Sequence, residues 1–368
     1  MSNNTPNYED QFPSLSPQDV ARFVKAFEGN GSTDQDTSLL VKNLQEYAQF
    51  RQQYQLDLPE NSKPGKDDAA DWKWASATAI QAAHTCQTEL IPGVEDQAPL
   101  EDRVCHLRHI PQFCFAHTLP DGRTPVLTES GHVVIQYLPA RLDIGQASPE
   151  LFSLVVLLYL DRKAKVITDF DARGAVLMSD CRQGEGWPNL KVTHLFGFLK
   201  IFVHAINKIH PGRLTKLTIY SIPYIAVSIW HMTKVFLPKA LSENTTLVNG
   251  GDNVKDAIPK KKLSKYMAPE AIDQMEALRL RLFKESSSDC DLDTIEEEMD
   301  VGPAEETTAL QQQLQQSTTT TTLPIQVVGV SLLQGEICYQ SNVVRVHRGL
   351  EAHQHFLDGL ATVQAWNN

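Results

Sequence analysis

The chain has 368 residues, enough to bury a core without a metal or disulfide staple, with 42% hydrophobic and 21% charged residues. Its formal net charge of -12 argues against a general nucleic-acid binder, so any anionic partner has to meet a local basic patch. The start lacks a basic segment followed by an apolar run, and the longest apolar stretch, Leu151 to Leu160, is too short to span a bilayer.

Six cysteines, at 86, 105, 114, 181, 290 and 338, show no close-spaced framework and suit free thiols in a reducing compartment. The expectation is a cytoplasmic protein without a cofactor.

In chain order, Ser16-Pro17-Gln18-Asp19 supplies an N-cap, a proline at the first helical position and an early acid. Val20, Phe23, Val24 and Phe27 then follow helical spacing. Leu40, Val41, Leu44, Tyr47 and Phe50 predict a second helix, and Asp67 to His84, with Trp72 and Ala75 on one side, a third. Residues 1–111 read as a helical segment.

The pattern then changes. His132 to Leu138 and Lys165 to Asp171 are short β-rich runs, separated by a helix that begins at Ser148-Pro149-Glu150. A helix from Leu190 to Ile209 sets Leu195, Phe198, Leu199, Phe202, Val203 and Ile206 on one stripe. A strand from Lys216 to Ile222, an apolar helix from Tyr224 to Leu241 and a last strand from Thr245 to Asn249 follow.

Such alternation predicts an α/β domain over 112–275 with a mainly parallel sheet, because parallel neighbours need long crossovers. Residues 276–323, acidic and then rich in Gln and Thr, read as a linker. Residues 324–368 hold too little for a core of their own and are expected to dock onto the main domain.

Val166-Ile-Thr-Asp-Phe-Asp-Ala-Arg-Gly174, a long helix, and then His210-Pro-Gly-Arg-Leu-Thr-Lys-Leu-Thr-Ile-Tyr-Ser-Ile-Pro223 resemble the core of CRAL-TRIO domains. Those domains carry an aspartate-and-glycine strand end and a strand led by Pro-x-Arg. In the same order come the helix Ala226 to Leu241, a strand ending near Asn249-Gly250, and Ala257-Ile-Pro-Lys-Lys-Lys-Leu263, similar to the family's closing element. Upstream, Asp19 to Lys25 and Leu44 to Arg51 are similar to its leading helices, with Phe50 where tryptophan is usual.

The resemblance implies a twisted sheet floor, helical walls and a mobile helix over an apolar cavity that takes a lipid-like ligand, without bond making. On that basis Val166, Thr168, Phe170, Tyr220, Ile222, Tyr224, Val227, Trp230, His231 and Phe236 are expected at the lipid.

The phospholipid-transfer branch carries an acid between the residues matching Pro211 and Arg213, where this chain has Gly212. Its lysine falls near Asn244, and its strand hydroxyls, placed before Asp169, fall on Ala164 and Val166. A headgroup buried without partners is costly, so a less polar ligand is expected.

Lys260, Lys261, Lys262 and Lys265 form the clearest basic cluster and are expected to touch an anionic leaflet transiently, each lysine contributing about 1 kcal/mol. The bland reading is a solvated loop. The acidic linker suits a basic protein partner, and a protein-interaction module that keeps the fold without lipid exchange is the alternative.

Cys105, His106, His109, Cys114 and His117 crowd together, but their spacing fits no standard zinc site. Asp289, Asp291 and Asp293 imitate a calcium loop that lacks its glycine and its bidentate glutamate. Asp169 and Asp171, two apart, would share a strand face, yet no nucleophile or phosphate-cradling loop accompanies them, so a structural role is preferred to catalysis.

Overall fold

The computed structural model describes residues 8–28, 34–63, 65–85, 89–95, 97–98, 109–190, 192–222 and 243–288. All fall in the compact unit Met1–Ile295, and the second unit, Glu296–Asn368, lies outside the described residues, with the expected docking tail.

The N-terminal segment supplies helices α1 (Pro17–Glu28), α2 (Asp34–Gln53) and α3 (Asp68–Thr85). The Ser16 hydroxyl caps α1 by accepting from the Asp19 amide at 3.1 Å, the role its sequence implied. The buried faces of these helices carry Phe23, Leu44, Tyr47, Phe50, Trp72 and Ala75 into the same core as the sheet.

Five strands follow in the order β1 (Cys114–Ala116), β2 (Val133–Tyr137), β3 (Ala175–Asp180), β4 (Leu214–Ile222) and β5 (Thr245–Asn249). β1 runs antiparallel to β2, and every later pair is parallel. Sequential parallel strands joined by right-handed crossovers place their connecting helices on one face. Helix α4 (Pro149–Val166) joins β2 to β3, and α5 (Val192–Ile209) joins β3 to β4, and both bury against that face.

Side chains alternate accordingly. Val133, Ile135, Tyr137, Ala175, Leu177 and Leu217 face α4 and α5, whereas Val134, Val176, Met178, Tyr220 and Val248 face helix α6 (Pro269–Ser288) with its Ala271, Ile272 and Met275. Helices on both sides explain why every residue of β2 and β3 is buried.

The expected strand Lys165–Asp171 is corrected. The apolar run that starts at Leu151 continues as α4 through Val166, with every residue from Glu150 to Lys163 buried. A turn follows in which Asp169 adopts a left-handed conformation (φ 57°), then a single helical turn Phe170–Arg173 ended by Gly174 (φ 65°). Asp169 and Asp171 therefore share no strand face. The strand begins one residue later, at Ala175, and its closing aspartate is Asp180.

Candidate functional site

The α4/α5 face of the sheet carries a row of packed aromatic side chains. Phe198 and Phe202 of α5 stack at 5.4 Å between ring centres, and Phe198 stacks on Tyr137 at 6.1 Å and 11°. Phe113 meets Tyr137 edge-on at 5.8 Å. Across the C-terminal rim, Tyr137, Ser179, Ile219 and Leu247 lie in register on one face, with Ile219 and Leu247 half-buried.

Between this face and the two helices lies a void of about 10 Å³ lined by Ile135, Val156, Leu160, Phe170, Leu177 and Phe202. That volume admits one water at most. Its walls are apolar apart from Arg213, whose charge is spoken for.

Arg213 donates to Asp171 at 2.6 Å and to His210 Nδ1 at 2.8 Å, and Asp161 stands 3.7 Å away. Because Nδ1 accepts, His210 carries its proton on Nε2, which donates to the Leu157 carbonyl at 3.0 Å. Burial, then Arg213 and Arg22, lower the His210 pKa well below the usual imidazole value.

Helices α1 and α2 close the same network. Tyr47 donates to Asp19 at 2.9 Å, Arg51 reaches Tyr47 at 2.9 Å and Asp161 at 3.2 Å, and Arg22 donates to the Pro211 carbonyl at 3.2 Å. Burial opposes ionisation of Asp19, but Arg22 and Arg213 outweigh it and hold its pKa at about 2. Arg213 is thus structural, joining the helical segment to the sheet. Gly212 has φ 77°, a backbone conformation an acid would strain to adopt.

On the opposite face, Arg182 is fully buried between Asp180 at 2.7 Å and Glu276 at 2.5 Å, and donates to the Asp256 carbonyl at 3.0 Å. This clasp fixes α6 to the end of β3.

The residues expected at the lipid do not all converge. Val166 is half-buried at the end of α4, Thr168 is exposed in the turn, and Phe170 is buried beside the void. Tyr220 points to the α6 face, away from α4 and α5. Ile222 is buried just beyond Ser221, a non-glycine residue at φ 58° where the β4–β5 register shifts. Tyr224, Val227, Trp230, His231 and Phe236 lie outside the described residues, as does the whole stretch 223–242 that joins β4 to β5.

The strand shift also moves the two positions compared with the phospholipid-transfer branch. Counted at the same spacing from Asp180, they are Ala175 and Leu177, both apolar and both lining the void.

Of the four lysines, Lys260 pairs with Asp273 at 2.6 Å and Lys262 donates to the Asn249 carbonyl at 2.8 Å. Lys261 and Lys265 are exposed, next to half-exposed Tyr266. Cys105 and His106 lie outside the described residues, and among the described residues no cluster of metal-ligating side chains forms. Nor is any described helix long and apolar enough to cross a membrane.

Sequence reasoning missed the hydroxyl of Tyr137, which is buried with no hydrogen-bond partner among the described residues. A tyrosine inside the otherwise apolar run HVVIQYL was the available signal.

No curated protein matches the chain. Among solved structures, the crystal structure of Sfh5 is similar at 11% identity and a TM-score of 0.36, over 67% of this chain and 70% of that one. Residues 126–273, from the hairpin before β2 into the first turn of α6, match the CRAL/TRIO domain family. The likeness to the CRAL/TRIO family is thus confined to this stretch, which spans β2 to β5.

Proposed function

We propose that this protein binds one hydrophobic, lipid-like molecule in an internal cavity and carries it between membranes or senses it. The observation that carries this reading is the CRAL/TRIO match across β2 to β5, because that family typically binds lipophilic ligands. The apolar side chains at the C-terminal rim support it, and so does the largely apolar sequence Tyr224 to Leu237.

Moving a lipid from bilayer to cavity exchanges one apolar medium for another, so fit and a few polar contacts set selectivity. The protein acts by desolvation rather than by bond making. Lys261 and Lys265, exposed beside Tyr266, are the proposed points of transient contact with an anionic leaflet in the cytoplasm.

The second reading, an interaction module that keeps the fold without lipid exchange, is favoured by one observation: the void against α4 and α5 has room only for a water. Lipid extraction from protein purified out of a eukaryotic host separates the two. A specific co-purified lipid supports the carrier. A lipid-free protein that also takes up nothing from mixed vesicles supports the module.

A further inference from the structure

We infer that Ser130, His132 and Lys216 form a binding site for a phosphomonoester group, carried either by a small soluble ester or by a lipid headgroup. The inference does not rest on the lipid-binding reading above, because the site lies at the N-terminal ends of β2 and β4, away from the C-terminal rim.

The turn Thr128 to His132 leads into β2, and Lys216 stands in register with Val176 on the side of the sheet that carries α6. Three groups meet at one hydroxyl. Ser130 Oγ lies 2.8 Å from His132 Nδ1 and 3.1 Å from Thr128 Oγ1, and it accepts from Lys216 Nζ at 3.3 Å. With Ser130 donating to Nδ1, the imidazole keeps its proton on Nε2, which has no hydrogen-bond partner among the described residues. The Lys216 ammonium has three donors and spends one of them on this neutral hydroxyl. Among the described residues no carboxylate pairs with Lys216 or His132, and Glu129 of the same turn is exposed and bonded to neither.

The turn is preset and accessible. The Glu129 amide donates to the Tyr266 carbonyl at 2.9 Å, Thr128 bridges to Met267, and the Gly131 amide donates to the Thr128 carbonyl at 2.9 Å. Nothing lies within 4 Å of the place a Gly131 side chain would take, so the outer side of the turn is open to a ligand.

A phosphomonoester matches these donors better than a carboxylate does. It carries close to two negative charges and three terminal oxygens, one each for the ammonium, the imidazole Nε2 proton and a hydroxyl. A carboxylate has one charge and two oxygens. Burial, and then the field of Lys216, disfavours the charged imidazole. An anion seated between the two offsets that field, so binding draws a proton onto His132.

The test follows the His132 ring signals by NMR, near neutral pH and at fixed ionic strength, as glycerol phosphate or acetate is added to the full chain. Wild type should show a saturable shift with glycerol phosphate and none with acetate. Lys216→Met should weaken that binding at least about tenfold, the loss of one charge-assisted hydrogen bond, and Ser130→Ala, at an exposed position, should weaken it without disturbing the fold. Co-sedimentation with vesicles of phosphatidic acid or, at equal charge, phosphatidylserine separates the two sources. A preference for phosphatidic acid that depends on Lys216 assigns the group to a headgroup, and equal binding beside an intact glycerol phosphate response assigns it to a soluble ester. A preference for the phosphomonoester in neither assay, or one that both variants keep in full, overturns the inference and leaves the lipid-binding reading standing.

Discussion

His210 is buried where three arginines, three aspartates and a tyrosine converge between the helical segment and the sheet. Its neutral form is favoured by burial and by Arg213 and Arg22, and His117 is likewise held neutral by burial. In the unfolded chain each imidazole binds a proton below about pH 6.5, while in the fold each does so only at a lower pH, His210 well below it. Stability is therefore complete above that pH and falls on acidification by about 1.4 kcal/mol per pH unit per histidine. Asp19, held at about 2, adds its own loss only below the ordinary carboxylate range, outside this window. Urea unfolding between pH 7.5 and 5.5 tests this. His210→Gln keeps a donor for the Leu157 carbonyl and should remove about 1.4 kcal/mol of the stability lost across that whole window. An unchanged slope would show that His210 does not titrate as described.

At the scale of elements, two predictions concern the ends of β4 and β5. Ser221 adopts a positive φ and its buried hydroxyl lacks a partner, so Ser221→Gly should stabilise the protein by about 0.5–1 kcal/mol in denaturant unfolding. A loss of stability would mean that the side chain supports the bulge. The lysines divide into an engaged pair, Lys260 and Lys262, and an exposed pair, Lys261 and Lys265. Lys261→Glu with Lys265→Glu should weaken binding to anionic vesicles at least about tenfold, given about 1 kcal/mol per lysine. Equal binding in vesicle co-sedimentation would make the cluster a solvated loop.

Elements with strong local signals were legible in the sequence. The cap and proline at Ser148-Pro149 start α4, and the runs at 133–137 and 245–249 are strands. The stretch from Lys165 to Asp171 misled because β-branched residues at a helix end look like a strand. What decides is the left-handed turn at Asp169 and Gly174, set by the packing of Phe170 and the Arg213 pairing with Asp171. The polar junction was invisible for a related reason. Asp19, Tyr47, Arg51, Asp161 and Arg213 are far apart in sequence, and only the fold brings them within hydrogen-bond range. Tyr137 illustrates the same limit, since strand periodicity assigns its face but not the unmet hydroxyl.

At the scale of the whole molecule, α1 to α3 share one hydrophobic core with α4, α5 and the sheet, so the helical segment is built into the CRAL/TRIO domain's wall rather than appended to it. In the proposed function the domain holds a lipid on the α4/α5 side of the sheet. The most direct measurement is native mass spectrometry, with lipid extraction, of wild type and Val227→Trp purified side by side from a eukaryotic host. One lipid class is expected at near-stoichiometric occupancy on wild type and lost from the variant, with both proteins equally folded. A wild type that carries no lipid, or a variant that retains it at full occupancy, would contradict the proposed function.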